Sequence, residues 1–170
     1  KYDYPPEQML SHTFFERKTE EFYRFYRDKI LSYAVSAKPN AAHKKLAELE
    51  KKGILSAVVT QNIDGLHQAA GSKNVFELHG SVLRNYCTRC GKRYGVDYML
   101  KSEGVPYCSC GGIIKPDVVL YEEALDDRTV RGAVNAIAFA DTLIIAGTSM
   151  VVYPAAGLVN YFDGKHLVVI

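Results

Sequence analysis

The stretch ILSAVVTQNIDG, residues 54–65, carries the strongest signal for the fold. Ile54–Thr60 is a short and nearly continuous apolar run, which is typical of a parallel strand buried on both faces. Gln61, Asn62 and Asp64 follow it, and ligands of open α/β sheets bind just beyond the carboxyl ends of the strands. Two amides and a carboxylate there can hold a carboxamide and position sugar hydroxyls. The local sequence leaves open the alternative that Asn62 and Asp64 only cap the next helix.

Helical and extended patterns alternate on both sides of this stretch. Apolar and aromatic residues recur every three or four positions over residues 13–33, which predicts one helix with an aromatic core face. Further helices are predicted from Asn40 to a stop at Gly53, at 64–70, at 128–140 and from Pro154, and further strands at 75–78, 118–121, 142–146 and 166–170. Strands that alternate with helices indicate the α/β class, with a Rossmann-like parallel sheet covered by helices on both faces.

Four cysteines interrupt this alternation within residues 86–114. Cys87-x-x-Cys90 and Cys108-x-Cys110 are separated by 17 residues, and each close pair can place two thiolates on one ion. Four sulfurs with no open position favour one structural Zn²⁺ over an iron–sulfur cluster. Two disulfides in a secreted protein are the other reading, but a chain of this size has a core that needs none. We therefore expect a small zinc-ribbon and helical module, and a reducing, cytoplasmic compartment.

The composition is that of an ordinary globular protein. The chain has 170 residues, of which 48% are hydrophobic and 24% charged, and its formal net charge is +2. This near balance favours neither a membrane nor a nucleic acid as partner. No apolar run approaches the roughly 20 residues that cross a bilayer, and residues 1–6 carry no signal-peptide pattern.

The chain is expected to divide into four consecutive segments. Residues 1–53 form the helical part of a small domain and the entry to a Rossmann-like domain, 54–85 belong to that domain, 86–114 form the zinc-ribbon insert, and 115–170 continue the Rossmann-like domain. Doubly wound folds normally start with a strand and a glycine-rich phosphate loop. Because neither precedes Lys1, and an apolar strand closes the chain, we expect pieces to be missing at both ends.

Two further stretches place chemistry at predicted strand ends. His79 stands between a strand end and a glycine, where an imidazole can act as a general base. Taken alone, a structural role is the commoner one for such a histidine. Gly147, Thr148 and Ser149 follow another strand, and small hydroxyl residues there let a cofactor approach the backbone closely and receive hydrogen bonds. Many turns after strands share this last pattern.

Taken in order, five stretches resemble motifs of the sirtuin family, the NAD-dependent protein-lysine deacylases. Thr60–His67 resembles the nicotinamide and ribose motif, Glu77–Gly80 the catalytic histidine motif, and the four cysteines the structural zinc ribbon. Lys115–Tyr121 and Gly147–Pro154 resemble the two walls of the peptide cleft, and the latter also resembles the nucleotide-binding turn. Each stretch is moderately specific, whereas five in the right order are very specific, and the pattern looks bacterial.

The resemblance implies removal of acetyl groups from lysines of proteins or peptides, giving nicotinamide and O-acetyl-ADP-ribose. It implies that the acyl oxygen attacks the anomeric carbon of the nicotinamide ribose of NAD, and that His79 then deprotonates a ribose hydroxyl. The peptide is expected to add as a strand. The implied residues are, for NAD, Gln61, Asn62, Ile63, Asp64, Gly147, Thr148 and Ser149; for the peptide, Val118, Val119, Tyr121, Val151 and Val152; and for one structural Zn²⁺, Cys87, Cys90, Cys108 and Cys110.

The chain also departs from the family pattern. Where the family has Phe-Gly-Glu, this chain has Tyr121-Glu122-Glu123. A glutamate thus replaces a glycine that readily adopts φ > 0, and its charge is expected to disfavour acidic peptides. The family's glycine-rich loop and its adenine-binding segment are not found in the sequence.

Three alternatives to deacetylation stay open. A desuccinylase resembles Tyr-x-x-Arg in the small-domain helix, but Tyr23 is followed by Tyr26, and Arg27 is one position off. Without a guanidinium in that place an acyl carboxylate is poorly satisfied, which favours acetyl. A mono-ADP-ribosyltransferase would use the same NAD pocket, but retention of His79 favours deacylation. A non-catalytic zinc-ribbon binding module is disfavoured because the ribbon lacks a stripe of aromatic and basic residues.

Overall fold

A computed structural model describes residues 3–170 of the chain. The chain folds into two compact units, each built from several segments. Within the described range, the first unit comprises residues 3–38, 62–66 and 79–124, and the second comprises residues 39–61, 67–78 and 125–170. This grouping follows compactness in space. It does not test the four segments expected along the sequence, whose boundaries stay a prediction. The first two residues of segment 1–53 lie outside the described range. Among residues 3–170, no helix has the length and apolar character needed to cross a membrane.

The first unit begins with a run of short helices. The predicted single helix over 13–33 is wrong in its continuity, because Lys18 leaves the helical conformation with φ −134° and ψ 50°. The break brings the ring of Phe15 edge-on to the ring of Phe22, with centroids 5.1 Å apart. The helices are α1 (Pro6–Met9), α2 (His12–Arg17), α3 (Thr19–Phe25), a π-helical turn (Tyr26–Leu31) and α4 (Ser32–Ser36).

The rest of the first unit is a three-stranded antiparallel sheet with a helix on one connection. The elements are β3 (Gly80–Cys87), β4 (Arg93–Gly95), α7 (Val96–Lys101) and β5 (Ile114–Val118), in the strand order β4-β3-β5. The predicted strand at 118–121 is corrected by this sheet. The strand ends at Val118, and Tyr121 forms only an isolated parallel bridge with Ser11. The register of β3 on β5 shifts between Ser81 and Asn85, which marks a bulge.

An aromatic cluster forms the core of the first unit. Rings from α2, α3 and the π-helical turn pack against β3, β5 and α7. The aromatic stripe predicted for this segment is therefore confirmed as core packing. The largest side chains buried in this cluster are Phe22, Tyr23, Tyr26, Met9, Leu31, Met99, Ile114 and Val82.

The second unit contains the parallel strands that the sequence predicts. β1 pairs with β2 and β6 pairs with β7, both in parallel, which confirms the α/β class. A helix connects the two strands within each pair, and another helix precedes the first strand of each pair. The elements are α5 (Ala41–Lys51), β1 (Val58–Thr60), α6 (Leu66–Ala69, its first residue assigned to the first unit), β2 (Val75–Glu77), α8 (Asp127–Ala138), β6 (Thr142–Ile145), a 3₁₀ helix (Ala155–Tyr161) and β7 (His166–Val169).

Local signals explain where these helices begin and end. Asn40 caps α5 by accepting a hydrogen bond from the His43 amide at 3.1 Å. The amides of Ile54 and Leu55 both donate to the Leu49 carbonyl. They therefore finish α5, and the strand predicted from Ile54 starts only at Val58.

The core of the second unit is smaller and aliphatic. α8 packs on β2 so closely that a Cβ added to Gly132 would lie 2.3 Å from the ring of Phe76. Glycine at this position therefore permits the contact between helix and strand. The buried members of this cluster are Leu78, Ala133, Ile137, Ala155 and Leu158.

Candidate functional site

The first unit brings the four cysteines together. Cys87 ends β3, Cys90 lies in the turn before β4, and Cys108 and Cys110 lie in the loop that leads to β5. Their Sγ atoms all lie within 4.8 Å of one another. Four thiol ligands at this separation fit a tetrahedral Zn²⁺ with no position left open.

Glycines allow the two cysteine turns to approach each other. Gly91 at φ 72° and Gly111 at φ 78° adopt the left-handed conformation that these tight turns require. Gly112 has a different role, because a Cβ at this position would lie 2.6 Å from the Sγ of Cys87. The space around the thiols thus depends on a residue without a side chain.

Hydrogen bonds from the protein favour the thiolate form of Cys87 and Cys108, which is the form that zinc requires. The amides of Arg89 and Cys90 approach the Sγ of Cys87 at 3.4 and 3.5 Å, and the hydroxyl of Tyr94 donates to the Sγ of Cys108 at 3.0 Å. The amide of Cys110 and the Tyr94 hydroxyl lower the pKa of Cys108 to about 5. The donor set, the spacing and these bonds together fit zinc.

His79 lies directly before β3 in the first unit, and it is half-buried. Its carbonyl accepts a hydrogen bond from the Val119 amide at 3.0 Å. Gly80 follows with φ 75°, and a Cβ there would lie 2.0 Å from the Asp117 carbonyl oxygen. The strand pair β3–β5 thus fixes the backbone of the predicted catalytic histidine beside the segment predicted to bind peptide.

The Asn62–Asp64 loop is attached to the same strand. The Ile63 carbonyl accepts from the Val82 amide at 3.0 Å, and Ile63 packs against the aromatic core. Asp64 accepts from the Leu66 amide at 3.0 Å, two positions further on, in the turn that leads into α6. Asn62 is exposed. The first unit therefore brings the loop and the strand that follows His79 together.

The remaining predicted NAD residues belong to the second unit. Gln61 follows β1 and is half-buried. Gly147 follows β6 with φ 66°, and the Thr148 hydroxyl accepts from the Met150 amide at 3.1 Å. Gly147, Thr148 and Ser149 are all exposed, so their backbone and hydroxyl groups are accessible.

The five predicted peptide residues are divided between the two units. Val118 ends β5 opposite Gly80, while Val119 continues the segment and Tyr121 is 49% exposed. Val151 and Val152, which follow the Gly147 turn, are 70% and 39% exposed. Apolar side chains with this much exposure are available to a ligand.

Sequence reasoning missed a charged network beneath the segment 118–121. The Lys115 ammonium, which is almost fully buried, lies 3.1 Å from Glu123 and donates to the Val118 carbonyl at 2.9 Å. Glu123 also accepts from the Leu120 amide at 2.9 Å and contacts the ring of His12 at 2.8 Å. Lys115 and Glu123 are eight positions apart and His12 is over a hundred positions away, so no local pattern connects them.

This network shifts two pKa values. Burial raises the pKa of Glu123, but the hydrogen bonds from Leu120 and His12 and the charge of Lys115 outweigh burial and lower it. The hydrogen bond to Glu123 raises the pKa of His12, with a smaller contribution from the charge of Glu16.

Comparison with known proteins identifies the family. The model of the Sir2 family matches residues 3–154. The chain belongs to the Sir2 family. A protein of Clostridium perfringens (strain 13 / Type A) named NAD-dependent protein deacetylase is 64% identical over 169 residues, which cover 98% of this chain and 68% of that protein. One of the same name from Clostridium acetobutylicum is 61% identical over 171 residues, covering 99% of this chain and 69% of that protein.

Solved sirtuin structures share the fold. A Sir2 bound to acetylated peptide superimposes with a TM-score of 0.88 at 44% identity, covering 95% of this sirtuin chain and 70% of the other. A Sir2 in complex with an inhibitor, 2'-O-acetyl-ADP-ribose and a deacetylated p53 peptide gives a TM-score of 0.89 at 44% identity, covering 96% and 72%. The resemblance inferred from the five motifs is therefore confirmed.

Proposed function

We propose that this chain removes acetyl groups from protein lysines with NAD as co-substrate, giving nicotinamide and O-acetyl-ADP-ribose. Membership in the Sir2 family supports the reaction, and one local observation supports the residue that performs it. His79 is half-buried rather than enclosed in the core, and its carbonyl is bonded to the Val119 amide. The base and the peptide segment are thus held by one pair of strands.

His79 acts as the general base in this proposal. An imidazole changes protonation near neutral pH, so it can accept a proton from a ribose hydroxyl. The bound dinucleotide supplies the reactive ribose carbon and the nicotinamide leaving group. Asn62, Ile63 and Asp64 in the first unit, and Gln61 with the turn Gly147–Ser149 in the second, are proposed to hold it.

The peptide is proposed to bind as an added strand on Val118, Val119 and Tyr121, with Val151 and Val152 also in contact. Main-chain hydrogen bonds give affinity in this mode and read little side-chain sequence. The exposure of Tyr121 and Val151 supports this assignment.

The acyl group is proposed to be acetyl rather than succinyl. Tyr23 is fully buried, and its hydroxyl donates to the Ile114 carbonyl. Arg27 donates to the carbonyls of Met99 and Gly104, and Tyr26 is buried in the core. Because the Tyr23 hydroxyl and both terminal nitrogens of the Arg27 guanidinium are already bonded within the fold, a carboxylate on the acyl chain gains no ionic partner from Arg27.

The cysteines are proposed to hold one structural Zn²⁺, and the protein is proposed to act in the cytoplasm. The Sγ atoms of Cys87 and Cys110 are 3.4 Å apart, and those of Cys90 and Cys108 are 3.6 Å apart. Both distances exceed the roughly 2.05 Å of a disulfide. Reduced thiols suit zinc and a reducing compartment. The enzyme class that follows from the reaction is acyltransferase, because the acetyl group passes to ADP-ribose.

Replacement of His79 tests the proposal. We expect the wild type to release nicotinamide from NAD only when acetyl-lysine peptide is added, and His79→Ala to lower the steady-state rate of deacetylated peptide formation by at least about a hundredfold. His166→Ala, which alters an exposed histidine at the start of β7, is the matched control and should keep the wild-type rate. Mass spectrometry of the products separates deacetylation from transfer of ADP-ribose to the peptide. Full turnover by His79→Ala contradicts the assignment of the base.

A further inference from the structure

Glu122 has a backbone conformation that is unusual for its residue type. Its φ is 77°, a left-handed value that L-residues with a side chain rarely adopt. The turn is closed by a hydrogen bond from the Glu123 amide to the Leu120 carbonyl at 3.0 Å, and Glu122 is its third residue. Type II turns favour glycine at that position because it requires φ > 0. Glu122 therefore adopts a backbone conformation that glycine adopts more readily.

The side chain of Glu122 makes a contact that can offset the strain of its left-handed backbone. Its carboxylate accepts a hydrogen bond from the Thr13 amide at 2.9 Å. This is an ionised acceptor on a backbone donor, which makes it one of the stronger kinds of hydrogen bond in proteins. Backbone strain that persists is usually offset by the surrounding structure and concentrates at functional sites. The bond to Thr13 is such an offset.

Residues 10–13 contact the turn at every position from 121 to 123. The Tyr121 amide donates to the Leu10 carbonyl at 3.0 Å, and the His12 amide donates to the Tyr121 carbonyl at 2.9 Å. Glu122 bonds Thr13, and Glu123 contacts the His12 ring at 2.8 Å. We call this set of four bonds the 10–13 clasp. It fixes the end of the segment that carries Val118, Val119 and Tyr121.

We propose that Glu122 is a positioning residue for the acetyl-lysine peptide, because its bond to the Thr13 amide closes the 10–13 clasp and holds residues 118–121 ready to pair with an incoming strand. The proposal rests on the proposed function, which makes this segment the peptide site. A segment held in its bound conformation loses less conformational entropy when the ligand pairs with it, so the clasp raises affinity without touching the acetyl group.

A simple charge effect is the competing explanation. Glu122 is exposed and ionised, since hydrogen bonds from Thr13, together with the charges of His12 and Arg17, lower its pKa. Glu16 provides the matched control for charge. Its carboxylate lies 3.3 Å from the His12 ring on the same surface, but it belongs to α2 itself and not to the turn. Loss of either carboxylate removes one negative charge, whereas only loss of Glu122 opens the clasp.

The first experiment measures the hydrogen bond directly, without any substrate. Amide hydrogen exchange of Thr13 and of residues 118–123 should accelerate at least about tenfold in Glu122→Ala and Glu122→Gly. Glu122→Gln, whose amide oxygen still accepts, and Glu16→Ala should stay within about threefold of the wild type. Unchanged exchange in Glu122→Ala overturns the clasp, whether or not the protein is a deacetylase.

The second experiment measures binding of a fluorescent acetyl-lysine peptide in the absence of NAD, together with steady-state kinetics. We expect Glu122→Ala to weaken peptide binding by about tenfold, as loss of a charge-assisted hydrogen bond would, and Glu122→Gln by about threefold or less. Peptide KM should rise accordingly, while kcat and NAD KM stay unchanged. Glu122→Gly relieves the strained φ but loses the bond, so it should bind as weakly as Glu122→Ala.

Three results would overturn the proposal: Glu122→Gly binding as tightly as the wild type, Glu122→Gln binding as weakly as Glu122→Ala, or Glu16→Ala matching Glu122→Ala. The last two would assign the effect to charge. If the wild type neither binds the peptide nor releases nicotinamide, the proposed function fails instead. The exchange data then still decide whether the clasp exists.

Discussion

The two units use different physical means to fix their structure. The first unit buries the polar side chains of Ser11, Ser81, Asn85 and Lys115, and it holds four thiols within 4.8 Å of one another. The second unit depends on a small aliphatic cluster between α8 and its neighbours, and all four residues of β7 are exposed. Directional bonds specify geometry, whereas apolar contacts mainly supply stability. The proposed general base, the metal ligands and most of the proposed peptide residues lie in the first unit, where directional bonds fix the positions of side chains.

The largest expected effect comes from removal of the metal ligands. Cys108→Ser should abolish zinc binding and unfold the ribbon, because binding of a structural zinc contributes on the order of 10 kcal/mol to folding. Hydrogen exchange should show the amides of residues 86–114 unprotected, while β1 and β2 of the second unit stay protected. Ser109→Ala, one residue away, should retain stoichiometric zinc as measured by atomic absorption. A folded, active Cys108→Ser without metal contradicts the structural role.

Two glycines allow the effect of backbone strain on stability to be separated from the effect of steric overlap. Gly80 in the first unit and Gly53 in the second have nearly the same φ, 75° and 72°, but a Cβ on Gly80 would lie 2.0 Å from the Asp117 carbonyl oxygen, whereas Gly53 has nothing within 4 Å. We expect Gly80→Ala to cost about 4 kcal/mol and Gly53→Ala about 1 kcal/mol in the free energy of unfolding. Denaturant titration measures both. Equal costs would mean that β3 and β5 are not packed as described.

Ion pairs provide the next contrast between the units. Lys115→Met leaves Glu123 without its buried partner, and we expect a loss of about 3 kcal/mol. Lys52→Met removes an exposed pair with Glu48 on α5, whose atoms lie 2.6 Å apart, and should change stability little. Chemical denaturation at pH 7 tests the difference. Similar costs for the two variants would show that the Lys115 pair is hydrated like the surface pair.

The smallest expected effect is the pH dependence of the same network. Because the folded state lowers the pKa of Glu123, its contribution to stability is present above the unfolded pKa and is lost as the pH falls through the folded one. The raised pKa of His12 has the opposite sign, so its contribution is present at acid pH and lost as the pH rises through the folded value. In a plot of the free energy of unfolding against pH, Glu123→Gln should reduce the change in stability at acid pH. His12→Ala should reduce the change near neutral pH. Unchanged plots contradict these couplings.

Sequence patterns predicted features that depend on near neighbours. Asn40 and Gly53 bracket α5 because capping and helix termination are local, and the cysteine spacing predicted one cluster because each pair closes its own turn. The continuous helix over 13–33 failed at Lys18, where packing of Phe15 on Phe22 overrides periodicity. The antiparallel sheet of β3, β4 and β5 was missed, and its β5 is separated from β3 by 26 residues that include β4 and α7, so their pairing depends on the tertiary fold.

The candidate site divides in the same way. His79 and the Asn62–Asp64 loop were recognisable as motifs, and the structure attaches both to β3. The contacts of Lys115, Glu123 and His12 depend on the tertiary fold, and no spacing rule connects positions so far apart. The replacement of glycine by Glu122 was visible in the sequence, but its bond to Thr13 was not.

β3 runs from the residue after His79 to Cys87, with a bulge between Ser81 and Asn85. The four cysteines lie at one end of this strand and the imidazole of His79 at the other, which fits a structural rather than a catalytic role for the metal. Any influence of the metal on turnover would therefore pass through the backbone of β3 and of its partner β5 rather than through direct contact with the substrate. Loss of the ion from the zinc ribbon would then misplace the imidazole of His79 without altering the intrinsic reactivity of NAD or of the acetyl-lysine.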